Sequence, residues 1–316
     1  MSEIRTLELT MNRHVDFAHA LQTYVIYPWV RNGEALIRPL RVGPEDSTVV
    51  VAQLRQVSAD RLKAQISGPE LDDTGVGDVQ QSLERALQLD YPYAAIDALT
   101  RDDPVLAAAV RHRGLGRGKL YPDLFEALCG VVCAQRTSFA RVYGMMRKIA
   151  ETFGQPTETT VENQRVHAFP TPSLLAAAAE TQLRTCGVGF RSKGLGNVAA
   201  SLAEQNYTWN TWRHREPADV VEDLLTIRGV GPYTANLAVN LSYGTGGAPH
   251  VDTYVTDVVG RLYLHDPKAT PERVARYIEE RWGALGERVL DYLTTDTEVW
   301  TAEIGKSVGV KSGARV

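Results

Sequence analysis

The stretch from Asp219 to Arg261, DVVEDLLTIRGVGPYTANLAVNLSYGTGGAPHVDTYVTDVVGR, restricts the fold more than any other part of the chain. Val220, Leu224, Leu225 and Ile227, then Leu237, Val239 and Leu241, recur at helical rather than strand spacing. The pattern predicts a helix over 220–227, a glycine turn at Gly229-Val230-Gly231, and a second helix opened by Pro232. Too few residues separate the two helices for anything but a tight hairpin. A Gly-rich loop, Gly244 to Pro249, then leads to a third helix beginning near Asp252. Pro232 sits at the first helical position, where its missing N–H is no loss. The free amides of that turn, with the glycines beside them, make a small concave site suited to a phosphate. Asp252 reads either as a plain helix N-cap or as a functional carboxylate.

Hairpin, Gly/Pro loop and aspartate together resemble the helix-hairpin-helix (HhH-GPD) DNA glycosylase superfamily, in particular its 3-methyladenine DNA glycosylase II and 8-oxoguanine glycosylase branches. The resemblance implies that Arg228, Gly229, Val230, Gly231 and Thr234 grip one DNA phosphate at the hairpin, with a structural Na+ or K+ there. It also implies that Asp252 is the catalytic carboxylate.

With 316 residues the chain is long enough for two domains and a sizeable core. Its 44% hydrophobic and 23% charged content is that of an ordinary globular protein. No apolar run approaches the ~20 residues a membrane span needs, and MSEIRTLELT lacks a signal-peptide pattern. The expected location is cytoplasmic, with the nucleoid in a prokaryote. Three cysteines, Cys129, Cys133 and Cys186, cannot supply four thiolates, so the iron–sulfur cluster of some superfamily members is not expected. Cys129 and Cys133 share a helix face and read as reduced packing residues. A net charge of −4 and a pI of about 6.0 argue against a broad nonspecific nucleic-acid coat. Local basic clusters stand at Arg111, Arg113, Arg117 and Lys119, at Arg136, Arg141, Arg147 and Lys148, and at Arg184, Arg191 and Lys193.

The predicted fold class is α+β. Residues 4–11, 34–42, 48–57 and 61–67 read as strands, and 15–24 and roughly 76–90 as helices, giving an antiparallel sheet with one or two helices. From about Ala94 onward every segment reads as helix, and Tyr91-Pro92 is a plausible junction. The expected organisation is a sheet domain over 1–92, an all-α domain over 93–303 and a tail over 304–316. The 269–293 block fits an amphipathic pair packed against the hairpin helices.

Within the helical part, two helices are interrupted around Gln135 to Ser138, where Thr137 or Ser138 could cap the second. The resemblance puts Gln135 and Arg136 at the gap left by an extruded base, and Arg141 facing the orphaned partner base. In LRTCGVGFRSKGLGNVAASL it gives Phe190 the role of a wedge between bases and Arg191 that of reading the partner strand. The alternative for Phe190 is a core aromatic. Tyr233, Tyr254 and Trp300 are the candidate base-pocket residues, with packing roles open for Tyr233 and Trp300.

Breaking an N-glycosidic bond develops positive charge on the sugar, which a carboxylate near C1′ stabilises while orienting or deprotonating water. Superfamily members that also cut the strand carry a lysine seven positions ahead of the first hairpin glycine; here that position is Glu222, and no lysine lies between Lys193 and Lys268. A carboxylate cannot form a Schiff base. The expectation is a monomeric, monofunctional glycosylase acting on double-stranded DNA that contains a damaged base, first an alkylated purine held by cation–π stacking on Tyr233. Oxidised or deaminated bases are the alternative, as is a noncatalytic damaged-DNA-binding protein. The seven histidines form no HxxxH or HxH pair, and His250 reads as a loop hydrogen-bond partner rather than a metal ligand.

Overall fold

A computed structural model describes residues 3–11, 17, 26–43, 45–89, 93–113, 120–244 and 246–309. The helix expected at 15–24 (apart from Phe17), the Tyr91-Pro92 junction, Arg117, Lys119 and the tail beyond residue 309 lie outside the described residues.

Five strands form the N-terminal sheet: β1 (Glu3–Thr10), β2 (Val30–Asn32), β3 (Ala35–Val42), β4 (Thr48–Ser58) and β5 (Arg61–Gly68). All neighbours are antiparallel, in the order β1-β5-β4-β3-β2. Register pairs Leu36 with Leu54, Leu54 with Ala64 and Ala52 with Ile66, which gathers their side chains on one face. Helix α1 (Asp73–Leu87) covers that face with Val79, Leu83, Ala86 and Leu87. Asp72 caps α1 by accepting from the Gly75 N–H at 2.8 Å.

Then come α2 (Tyr93–Thr100), α3 (Pro104–Arg113), α4 (Leu124–Ala134) and α5 (Phe139–Phe153). The next segment departs from the all-helical expectation, because β6 (Gln155–Val161) and β7 (Gln164–Ala168) form an antiparallel hairpin. Glu162 and Asn163 both take positive φ, the conformation of a two-residue hairpin turn. Val161 and Val166 cover Ile37 and Val51 on the face of the sheet opposite α1. This second cover explains why β4 is buried on both faces from Val49 to Ala52.

Helices α6 (Pro172–Ala176), α7 (Glu180–Thr185), α8 (Ser192–Glu204), α9 (Trp209–Trp212), α10 (Pro217–Leu225) and α11 (Pro232–Tyr243) follow, and α12 (Thr253–Leu262), α13 (Pro271–Trp282), α14 (Gly286–Leu293) and α15 (Thr297–Glu303) complete the chain. Their apolar faces form two cores. One joins α4, α5, α8, α10 and α11 through residues such as Leu128, Met146, Val198, Leu224 and Val239. The other joins α2, α3 and α12 to α15 through Ile96, Leu106, Val258, Ile278, Leu290 and Trp300. Truncating a fully buried leucine in either to alanine would cost about 2–5 kcal/mol. The 269–293 pair packs against α12 and α3, and buried Arg288 of α14 also reaches the end of hairpin helix α11, where a Cβ at Gly244 would lie 2.8 Å from its Nη2. The hairpin lies in one core and the helix headed by Asp252 in the other, so the loop between α11 and α12 bridges the two.

Candidate active site

The hairpin forms as its residues dictate. Gly229 sits at φ +92°, a conformation L side chains rarely adopt, and lets the chain reverse between α10 and α11. Val230 is buried beneath the turn, its N–H donating to Ile227 O at 3.0 Å. Gly231 is the N-cap of α11 and Pro232 its first residue. The N–H groups of Gly229, Gly231 and Thr234 donate to no acceptor among the described residues. The Thr234 side chain is buried, so this residue offers the turn its main-chain amide alone. Arg228 is exposed, and its carbonyl accepts from Asn197 Nδ2 at 2.9 Å, which ties the turn to α8.

Helix α8 also reaches the other two predicted loops. Gly189–Arg191 forms a short 3-10 turn that runs directly into α8. Arg191 donates from Nε to Gln135 O at 3.1 Å and from Nη1 to Val188 O at 3.3 Å, and its Nη2 also bonds the Gln135 carbonyl. Residues 56 positions apart in sequence are thereby clamped together. In the DNA-free protein the Arg191 guanidinium is engaged as a brace between the loops. It also lies 4.6 Å from the centroid of the Phe190 ring. Phe190 is 61% exposed, which removes the core-aromatic alternative. Arg136 adopts φ +51° and is exposed, as is Arg141 one turn into α5. Ser138, not Thr137, takes the N-cap position of α5, without a side-chain hydrogen bond. Among the described residues, Arg136, Arg141, Lys148, Lys193 and Arg228 make no ion pair, whereas Arg147 and Arg184 are held by Glu151 and Glu180.

The loop before α12 is pinned at several points. Asn240 accepts from Gly247 N–H (2.9 Å) and donates to Ala248 O (3.1 Å), while Asn236 accepts from Ala248 N–H (2.7 Å). A Cβ at Gly247 would lie 2.5 Å from Asn236 O, so only glycine fits there. His250, buried, places Nδ1 2.9 Å from both carboxylate oxygens of buried Glu287, and its main-chain N–H donates to the same group at 3.1 Å. Two residues on, Asp252 is the half-buried N-cap of α12; Oδ1 accepts from Val255 N–H at 2.7 Å, while Oδ2 accepts nothing among the described residues. Asp252 is thus both a cap and a carboxylate with one oxygen to spare.

The aromatic candidates separate. Tyr233 is 45% exposed and meets the His250 ring edge-on at 6.4 Å, so it is not a packing residue of α11. Tyr254 is partly buried and commits its hydroxyl to Thr297 Oγ1 at 2.7 Å. Trp300 is wholly buried and its indole N–H donates to Thr295 O at 3.0 Å, which corrects its placement in a base pocket: no surface remains for a ligand to touch. All three cysteines are buried and free, and burial pushes the Cys133 thiol up to about 12. Glu222, at the position of the family lysine, is exposed on α10. Among the described residues no cluster of three or more His, Cys, Asp or Glu side chains could hold a metal, and no helix is long and apolar enough to cross a membrane.

Sequence reasoning missed the Glu287 clamp. Its signal was weak, since a glutamate on an amphipathic helix reads as a solvated group.

Residues 129–284 match the family described as HhH-GPD superfamily base excision DNA repair protein. The chain is 29% identical over 155 residues to the N-glycosylase/DNA lyase of Saccharomyces cerevisiae, across 46% of this chain and 41% of that protein. It is 28% identical over 149 residues to the DNA-3-methyladenine glycosylase of Bacillus subtilis, across 47% and 48% of the two chains. The chain spans less than half the length of these two curated relatives. Among solved structures it is similar to the 3-methyladenine DNA-glycosylase from Archaeoglobus fulgidus, with a TM-score of 0.73 at 20% identity over 91% of this chain and 97% of the other. That likeness bears on the fold, and it agrees with an antiparallel sheet followed by a helical part.

Proposed function

We propose, from the match of residues 129–284 to the HhH-GPD superfamily of base excision DNA repair proteins, that the chain is a DNA glycosylase that swings a damaged base out of the duplex and hydrolyses its N-glycosidic bond. One observation carries the reading. Two side-chain bridges, Arg191 to Gln135 and Asn197 to Arg228, bring the exposed Phe190, the 135–138 loop and the amide-lined hairpin around α8, while the pinned 246–250 loop presents Asp252 with one carboxylate oxygen uncommitted.

The chemistry follows from these parts. A base inside the stack is out of reach, so it must be extruded, and an apolar ring such as Phe190 can fill the distorted step at a cost of a few kcal/mol that the kinked duplex offsets with new contacts. Partly buried Gln135 and exposed Arg136 stand next to that wedge and take the vacated gap, with Arg141 behind them. The hairpin amides hold one phosphate, and the uncapped carbonyl oxygens of Gly229 and Val230 are hard ligands of the kind a Na+ or K+ takes. As the bond to the base lengthens, positive charge grows on the sugar. Asp252 stabilises it, and water adds at C1′.

Without a lysine ahead of the hairpin, the enzyme is proposed to release the base and leave the strand intact. The exposed face of Tyr233 supports a cationic, alkylated purine as first substrate, through a contact worth ~1–2 kcal/mol. An oxidised base is the second reading, favoured by Arg141 at the partner-base position and by the likeness to a yeast N-glycosylase/DNA lyase. Duplexes carrying methylated purines, hypoxanthine, uracil or 8-oxoguanine separate the readings. Free base with strands cleaved only after alkali is the expected result; efficient borohydride trapping on damaged DNA would contradict the monofunctional assignment.

A further inference from the structure

Two helices start at the wedge, and each carries on its outer face a glycine that the free protein does not need. Helix α5 leaves the 135–138 loop and α8 leaves the Phe190 turn, and the Arg191 bond to Gln135 O joins their starting points. On α5, Arg141, Gly144 and Lys148 stand at i, i+3 and i+7, opposite buried Met146. On α8, Lys193, Gly196 and Asn197 stand at i, i+3 and i+4, opposite buried Leu195 and Leu202. A Cβ at Gly144 or Gly196 would meet nothing within 4 Å outside the local helix, and neither residue takes positive φ. Gly194 differs, since its Cβ would lie 3.3 Å from Val132 of α4 and close packing accounts for it. Glycine inside a helix lowers stability relative to alanine. Packing within the free protein does not account for Gly144 and Gly196; close approach of a partner to the main chain does.

The neighbouring side chains indicate what that partner carries. Arg141, Lys148 and Lys193 are exposed and form no ion pair among the described residues. Carboxylates nearby are already paired, Glu151 with Arg147 at 2.7 Å and Glu180 with Arg184 at 2.9 Å. Asn197 ties the far end of the α8 face to the hairpin through Arg228 O. Two basic faces that straddle Phe190 fit the two strands of one duplex. With Arg141 at the partner-base position, α5 faces the partner strand; α8, which leads from the wedge to the hairpin, faces the damaged one. Gly77 of α1 has equally open surroundings, but Asp73 lies one turn before it and α1 covers the sheet, so it serves as a control.

We propose that Gly144 and Gly196 seat the sugar–phosphate backbones of the two strands beside the wedge, with Lys148 and Lys193 pairing to phosphates there. This rests on the DNA glycosylase reading. Affinity for a short duplex carrying an abasic-site analogue is measured by fluorescence anisotropy from about 50 to 200 mM salt, with melting temperatures alongside. Gly144→Ala and Gly196→Ala are each expected to raise the melting temperature by about 1–3 °C while weakening duplex binding about five-fold or more. Gly77→Ala should raise the melting temperature as much and leave affinity unchanged. Lys148→Gln and Lys193→Gln should each reduce the slope of log affinity against log salt by about 0.9. Wild-type affinity in an alanine variant would overturn the seat on that helix even if the lysine variants bind more weakly, because charge acts without close approach. A melting temperature lowered by alanine would give that glycine a role in the free fold and overturn its seat as well, and an unchanged slope in both lysine variants would overturn the phosphate pairing. Wild-type base release tests the glycosylase reading separately: release with unaltered affinity in every variant sinks the seats alone, and variant effects on binding without any base release sink that reading alone.

Discussion

Replacing Glu287 tests how Asp252, the carboxylate proposed to act on the sugar, is held. Glu287 is 6% exposed and accepts both the ring Nδ1–H and the main-chain N–H of His250, itself 8% exposed. With an ionised Glu287 the proton must sit on Nδ1 for both contacts to be attractive, a tautomer inferred from this geometry. Glu287→Ala removes the acceptor of two buried donors, at about 1–3 kcal/mol each, so a loss of up to about 6 kcal/mol is expected. Glu287→Gln retains a carbonyl oxygen for one of them and should lose about 1–2 kcal/mol. Asp252 lies two residues further along, and a displacement of about 1 Å at a reacting group can cost about 10²-fold in rate. Urea unfolding gives the stability term, and single-turnover base release together with duplex affinity gives the functional one. The expected pattern is slower base release, largest for Glu287→Ala and partly rescued in Glu287→Gln, with duplex affinity little changed because hairpin and wedge are untouched. Wild-type release rates in a destabilised Glu287→Ala would refute the clamp as a positioning device.

Phe190→Ala removes a ring that is already in solvent, so unfolding free energy should move by less than about 0.5 kcal/mol while binding and base release on damaged duplex drop by an amount reflecting the lost wedge; a large stability loss would mean that the ring packs in the free protein. Asp46 and Glu126 have folded-state values of about 7 and Asp123 is also raised, all chiefly by burial, so between about pH 4 and 7 the folded state holds protons that the unfolded chain has released. Stability contributed by these groups is greatest below that window and falls as pH rises through it. Melting temperatures measured from pH 5 to 8 should decline toward 7 and then level, and a steady climb across the same range would contradict this.

Much of the site was legible because its parts are local. Gly229, Pro232 and the N-cap Asp252 each impose a backbone geometry on their immediate neighbours, and the hairpin and both helix starts formed where those residues predict. The long strands followed from alternation and β-branched content in the same way. The β6–β7 hairpin escaped notice because its turn uses Glu162-Asn163 rather than a glycine pair, and because it extends a chain of helices. Long-range pairings were invisible for a different reason. Arg38 with Glu126, His250 with Glu287 and Arg191 with the Gln135 carbonyl join positions 88, 37 and 56 residues apart, and nothing in the identity of one partner announces the other. Trp300 shows the same limit from the apolar side. A tryptophan fits a stacking pocket and a sealed core equally well, and only packing decided for the core.

The central claim is that Asp252 supplies the charge that breaks the glycosidic bond, and Asp252→Asn tests it without dismantling the helix, because asparagine caps α12 as well as aspartate does. The measurement is single-turnover base release by the variant on whichever damaged duplex the wild type cleaves best, beside its affinity for the same duplex. Retained affinity with release slowed by about 10²-fold or more is the predicted result. Release at the wild-type rate would contradict the account.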